Sequence, residues 1–188
     1  MFSASDLRKG LKVEIDGQPW VITDFDFMKP GKGQAIYRCK LKNMLTGNTT
    51  DKSYRSNDKI GKPDLMDKDY TYSYYDGANY IFSDDDTYEE IEVSAEILGN
   101  QVNFIVENMQ CKILLFNDQP MEVSLPNFIE KEIARTEPAV KGDTATNVTK
   151  PAYIDNGYEI HVPLFINEGD LVRIDTRTGE YADRVKKA

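Results

Sequence analysis

The residue with the strongest claim to chemistry is Lys32, set in the run Met28-Lys29-Pro30-Gly31-Lys32-Gly33-Gln34-Ala35 between two β-rich segments. Pro30 fixes its own φ and biases Lys29 towards extended conformations. Gly31 and Gly33 admit positive φ and carry no side chain that would shield their neighbour. Together they predict a tight hairpin tip that projects Lys32 away from the fold. A lysine in that position is a compact cation on a flexible stem, suited to a phosphate-rich crevice and open to covalent modification. A turn that needs glycines and carries an incidental, solvated lysine would use the same residues. The run is not a P-loop: it lacks the GxxxxGK[ST] spacing, and a strand rather than a helix follows it.

Other chemistries find little footing. Asp84-Asp85-Asp86 lacks the spaced ligands and glycine of a calcium loop and reads as a solvated loop. His161, the single histidine, lies in a strand pattern with no serine or cysteine motif nearby. Cys39 and Cys111 belong to no Cys/His cluster, so neither a zinc site nor a disulfide framework is expected. With no GxSxG or HExxH motif, an enzyme is not expected, and neither is a bound metal or cofactor. No apolar run approaches a membrane span, and the amino-terminal residues lack the apolar core of a secretory signal. The reading is a reduced, cytoplasmic protein.

The chain has 188 residues and a net charge of −9, which looks wrong for a partner rich in phosphate. The charge is unevenly spread. Residues 1–64 hold 12 Lys/Arg against 8 Asp/Glu, residues 65–127 hold 2 against 13, and residues 128–188 hold 9 against 11. A basic first third is suited to RNA, while the acidic middle should face protein or solvent. Solubility alone would account for the same asymmetry.

The elements that must carry Lys32 are short β runs punctuated by turns. GLKVEIDGQPWVITDFDF reads as two strands joined at Asp16-Gly17, a strong hairpin signal. In the next pair, turning at Thr46-Gly47-Asn48, Ile36, Arg38, Lys40 and Lys42 alternate with Tyr37, Cys39 and Leu41, giving one buried and one solvated face. Further turns are read at Asp76-Gly77, Asn117-Asp118 and Gly169-Asp170, and Pro163 marks an edge or a bulge. Residues 92–108 are the best helical candidate, interrupted at Gly99. LKVEIDGQPWV and KILLFNDQPMEV share an order of strand, turn, Gln-Pro and strand, through duplication or the common grammar of hairpins. Turn signals every 8–12 residues with hardly any helix predict an all-β fold of three small β-barrel modules, 1–64, 65–127 and 128–188. Modules this small should pack on one another.

Several motifs in order resemble the elongation factor P family along essentially the whole chain. They are LKVEIDGQPW, KPGKGQA, LTG at 45–47, YYDG at 74–77, PNFIEKEIARTEPAVKGDTAT at 126–146, KPA at 150–152 and VPLFINEGDLVRIDTRTGEY at 162–181. That family also includes the hypusine-bearing initiation factor of archaea and eukaryotes. The resemblance implies an SH3-like (KOW-type) domain carrying Lys32, then two OB-fold domains, in an elongated, tRNA-like shape. It implies binding to the 70S ribosome between the peptidyl-tRNA and exit sites, and relief of stalling at consecutive prolines.

By the match of KPGKGQA, Lys32 is presented to the acceptor end of the peptidyl-tRNA, with Lys29, Pro30, Gly31, Gly33 and Gln34 as its supporting loop. The family's lysine is often extended by β-lysylation through a lysyl-tRNA-synthetase-like enzyme. Lysine here excludes the arginine-tipped type. Gly142, Asp143 and Thr144 match the family's loop near the exit-site codon. Asp175, Thr176, Arg177, Thr178, Gly179, Glu180 and Tyr181 match its carboxy-terminal signature, which would also serve as a hairpin turn. Arg8, Lys40 and Lys42 are candidate contacts to ribosomal RNA or tRNA, mainly through phosphates. A monomer meeting ribosomal RNA and proteins is expected. The rival readings are a paralogue with a narrower stalling repertoire and a generic OB-type binder of single-stranded RNA.

Overall fold

A computed structural model describes residues 1–139 and 148–188. Among the described residues the regular structure is nearly all β-strand with almost no helix, and by compactness the chain forms two units. One comprises Met1–Lys68 with Leu114–Glu122, the other Asp69–Ile113 with Val123–Ala188.

In the amino-terminal part, β1 (Phe2–Ser3), β2 (Lys12–Ile15), β3 (Gln18–Met28), β4 (Ile36–Asn43), β5 (Thr49–Arg55) and β6 (Lys59–Ile60) follow in order. β2-β3-β4-β5 form one sheet, and β1 pairs with β6. Val13, Ile22, Cys39, Leu41, Tyr54 and Ile60 form the core with Ala4, Leu7 and Leu11. The Asp16-Gly17 turn forms as read: both residues have positive φ, 53° and 74°, the geometry of a two-residue hairpin that matches strand twist. β4 alternates as its sequence predicts, with Cys39 and Leu41 buried and Arg38, Lys40 and Lys42 exposed.

β3 does not alternate strictly. Its pairing with β4 shifts between Ile22 and Asp24, leaving Thr23 as an extra residue, a β-bulge. Ile22 faces the core opposite Leu41. Past the bulge, Phe25 and Phe27 face the same side, opposite Cys39 and Tyr37, while Asp24 and Asp26 stand opposite Lys40 and Arg38.

The middle sheet has the order β11-β10-β7-β8-β9, made of β7 (Leu65–Tyr75), β8 (Tyr80–Asp84), β9 (Glu90–Val93), β10 (Gln110–Phe116) and β11 (Gln119–Ser124). Its Asn117-Asp118 turn repeats the geometry of Asp16-Gly17, with φ of 48° and 64°. The helical expectation over 92–108 shrinks to one turn. Glu92 and Val93 close β9, α1 covers only Ala95–Leu98, and a 3-10 turn spans Gly99–Asn103. Ser94 caps the start by accepting from the Ile97 amide. Gly99, at φ 58° and ψ −134°, ends the helix.

The last part holds two three-stranded sheets, β12-β16-β17 and β13-β14-β15. Their strands are β12 (Phe128–Glu132), β13 (Arg135–Thr136), β14 (Thr149–Tyr153), β15 (Glu159–Pro163), β16 (Leu171–Asp175) and β17 (Glu180–Lys186). Pro163 closes β15, an outer strand of its sheet, where a missing amide donor costs least. Gly169-Asp170 is a turn, but it joins strands of different sheets rather than a hairpin. Ile129, Ile133, Ile154, Ile160, Val162, Ile166, Val172 and Ile174 pack around Phe104, which the segment after α1 supplies.

Candidate functional site

The site is built on the β3–β4 hairpin. Pairing runs out to Phe27 opposite Tyr37 and Met28 opposite Ile36, and Lys29–Ala35 close the end. The Gly33 amide donates to the Pro30 carbonyl at 3.3 Å, folding Pro30–Gly33 into a turn with Lys32 inside it. Lys29 to Gln34 are all exposed. Among the described residues, neither Lys29 nor Lys32 has a side-chain hydrogen bond or ion pair, so both ammonium groups are free to meet a partner.

The glycines work differently from the sequence expectation. Neither Gly31 nor Gly33 has positive φ. A β-carbon on Gly31 would meet nothing within 4 Å, and one on Gly33 would touch Pro30 at an ordinary 3.5 Å. The fold itself does not demand glycine at either position. Their effect is to leave the flanks of Lys32 bare.

Lys40 and Lys42 line the solvated face of β4, but their surroundings differ. Lys40 stands between Asp24 and Asp51 on the neighbouring strands, whereas Lys42 stands between Val21 and Thr49. Arg8 lies elsewhere in this unit, just past the 3-10 turn Ala4–Asp6, with its guanidinium on the Asp6 carbonyl.

The residues Asp175–Tyr181 belong to the other unit and make a dense joint. The Asp175 carboxylate accepts from the side chain and amide of Arg177, which hold it below the usual carboxylate range. Thr176 donates its hydroxyl to the Pro126 carbonyl at 2.6 Å and its amide to Asn127 at 2.8 Å. Thr178 accepts from the Glu180 amide, and Gly179, at φ 76°, donates to Asp175. Tyr181 packs partly buried on the core that holds Phe104. Gly142, Asp143 and Thr144 lie outside the described residues.

Asp84 is buried rather than solvated, and its carboxylate caps the turn by accepting from the amides of Asp86 and Thr87. No group of three or more His, Cys, Asp or Glu side chains among the described residues could hold a metal. His161 is exposed, 3.9 Å from Glu159. Burial pushes the Cys111 thiol up to about 12, far from a nucleophile's range. No helix among the described residues is long and apolar enough to cross a membrane.

One feature beside the tip escaped the sequence reading. Phe27 is 49% exposed and Met28 40%, although Phe27 points to the core side of its sheet. Its ring lies 5.0 Å from Tyr37, whose ring lies 6.2 Å from Phe25. The alternation of Asp24, Phe25, Asp26 and Phe27 carried the signal.

Comparison with known proteins agrees along the whole chain. Residues 3–60 match the elongation factor P KOW-like domain, 65–123 its OB domain and 129–184 its C-terminal domain. The elongation factor P of Desulfotalea psychrophila is 47% identical over 187 residues, all of both chains. That of Syntrophus aciditrophicus is 48% identical over 99% of this chain and 100% of its own. A protein of Geobacter sulfurreducens called elongation factor P 2 is 42% identical over 99% of this chain. Among solved structures, the eukaryotic translation initiation factor 5A from Methanococcus jannaschii is similar in fold, with a TM-score of 0.54 and 21% identity over 65% of this chain and 94% of its own. The chain belongs to the elongation factor P family, which are translation elongation factors and not enzymes.

Proposed function

We propose that this factor binds the ribosome between the peptidyl-tRNA and exit sites and relieves stalling at consecutive prolines by steadying the peptidyl-tRNA acceptor end with Lys32. The observation that carries this reading is an unpaired lysine at the exposed end of a long paired hairpin, held by a turn that Pro30 begins. Proline reacts poorly in peptide-bond formation, since its ring constrains the nascent chain and its nitrogen is secondary. A factor that restrains the acceptor end favours near-attack geometry without any proton transfer of its own. Orientation effects reach ~7–11 kcal/mol in well-ordered systems, and each ~1.4 kcal/mol is a factor of ten in rate, so a small share suffices. The ribosome remains the catalyst.

In this reading Lys29, Pro30, Gly31, Gly33 and Gln34 support the contact through backbone and shape. A β-lysyl group added to Lys32 by a lysyl-tRNA-synthetase-like enzyme would lengthen its reach and add an ammonium; the bare flanks of Lys32 give such an enzyme access. Gly142, Asp143 and Thr144 would sit near the exit-site codon. The division into 1–64, 65–127 and 128–188, the monomeric state and a cytoplasmic location belong to the same proposal.

The test is reconstituted translation of a message with three consecutive prolines, using wild type, modified and unmodified, and Lys32→Ala. Rescue by wild type that the variant lacks supports the reading; rescue by Lys32→Ala at the wild-type level overturns it. A paralogue with a narrower repertoire, suggested by the likeness to an elongation factor P 2, would rescue only some stalling motifs in the same assay. The generic single-strand binder is less favoured. Tyr70 and Tyr72 are buried, and the exposed Tyr74, Tyr75 and Tyr88 lie in the acidic middle, where phosphate is unwelcome.

A further inference from the structure

We infer that Phe27, backed by Tyr37, is a stacking platform for an unpaired nucleobase beside Lys32. The inference rests on the proposed contact with the acceptor end and names how that end would be held. Three observations carry it.

The first is a core face that outlasts the core. β3 and β4 stay paired to Met28 and Ile36, yet the buried cluster of this unit ends with Cys39 and Tyr54, and Phe25 and Tyr37 pack only partly against it. Phe27 follows on the same face with half its surface in water. An aromatic ring so exposed at a strand end loses apolar burial unless something covers it.

The second is that the ring is held in place. Phe27 pairs directly with Tyr37, and Tyr37 pairs with Tyr54, so a row of aromatics crosses three strands. Phe27 and Tyr37 are inclined at 55° with centroids 5.0 Å apart, and Phe25 continues the contact inward to the core. A pre-positioned ring loses little conformational freedom when a flat partner settles on it.

The third is the sorting of charge. Because of the bulge at Thr23, Asp24 and Asp26 face the opposite side, as does Asp51 on β5. Within the paired strands the aromatic face carries one charge, Lys52, whose ammonium lies 5.5 Å from the Tyr54 ring. Lys29 and Lys32 follow at its outer end. An apolar ring flanked by cations and cleared of carboxylates suits a nucleotide, whose base stacks while its phosphate meets a lysine. Charge complementarity therefore selects an unpaired RNA end over an apolar peptide or an acidic protein.

The test uses full-length protein on ribosomes stalled at three consecutive prolines, at protein concentrations below saturation. Phe27→Ala and Phe27→Leu remove the aromatic face, and Phe27→Trp restores it. Thermal unfolding identifies any variant that is not folded. As a second readout, a photoreactive benzoyl-phenylalanine at position 27 reports what lies against the ring. We expect Phe27→Ala and Phe27→Leu to lower apparent affinity about tenfold to a hundredfold, the usual cost of losing one stacked base. Phe27→Trp should stay within about threefold of wild type, and the cross-link should map to the 3′-terminal nucleotides of the peptidyl-tRNA. If wild type relieves the stall and Phe27→Leu equals it, the platform is wrong while the role of Lys32 stands. A cross-link confined to protein also overturns it. If wild type relieves no stall, the functional reading fails and the platform fails with it.

Discussion

A β-carbon placed on Gly179 would lie 2.8 Å from the hydroxyl oxygen of Tyr158, closer than non-bonded atoms approach. The same position has φ 76°, which L-residues rarely adopt, and its other near neighbour is Phe104 at 3.2 Å. Phe104 meets Tyr158 edge to face with centroids 5.1 Å apart. Gly179→Ala should therefore lose about 2–4 kcal/mol of stability in this unit. In a Tyr158→Phe background the penalty should shrink by roughly 1 kcal/mol, since the hydroxyl is the nearest obstacle. Urea denaturation of the four proteins of this cycle measures the coupling, and a cycle that closes to zero would place the cost in the backbone and the Phe104 contact rather than in the hydroxyl.

Lys32→Ala should separate stability from function. The side chain is exposed and makes no hydrogen bond or ion pair among the described residues, so unfolding free energy should stay within about 0.5 kcal/mol of wild type. Rescue of proline stalls should fall at least tenfold. Equal loss in both measurements would mean that the tip is a folding element instead.

Lys42 and Lys40 should differ in their salt dependence. Carboxylates on both neighbouring strands already offset Lys40, whereas Lys42 faces Val21 and Thr49. In ribosome binding measured at several potassium concentrations, Lys42→Ala should reduce the slope of log affinity against log salt by about 1. Lys40→Ala should change it less. The reverse order would show that the flanking carboxylates do not govern the contact.

Acid should loosen the second unit through Asp170. This residue is fully buried, and its carboxylate accepts from the amides of Asn167 and Ala188, with Arg184 at 3.7 Å. These amides, Asn167 first, lower its pKa from the ordinary value. A folded-state pKa below the unfolded one adds stability that is present above pH ~4 and lost as pH falls through the folded pKa. Thermal midpoints measured from pH 5 down to pH 2 should thus fall more steeply for wild type than for Asp170→Asn. Parallel curves would mean that other carboxylates dominate.

Much of the fold was legible because local chemistry and tertiary packing agree. Asp16-Gly17 and Asn117-Asp118 supply residues that tolerate positive φ where two-residue hairpins need it, and the alternation along β4 is unbroken from Tyr37 to Leu41. What stayed hidden depends on partners distant in sequence. Nothing near Phe104 announces that it fills the core of strands 25 to 70 residues further on. The bulge at Thr23 is invisible in β3 alone, because it exists only relative to β4. Without it, the facing of Phe25 and Phe27 cannot be read. The loop around Lys32 could be located from Pro30 and the flanking strands. The reason for its glycines could not, since neither adopts the conformation that usually calls for one.

The bulge at Thr23 also makes the hairpin's identity a matter of parity. Deleting that one residue would leave Ile22 opposite Leu41 and Asp24 opposite Lys40 in an unbroken ladder, so both phenyl rings would keep their side. Pairing Thr23 in regular register opposite Lys40 would instead carry two carboxylates round to the side of Tyr37 and two phenyl rings away from it. Composition near Lys32 would be unchanged while the surface beneath it changed sign. A residue inserted between Ile22 and Asp24 should for that reason be less tolerable than loss of Thr23, since the insertion must enlarge the bulge or turn the rings round, whereas the loss only straightens the strand.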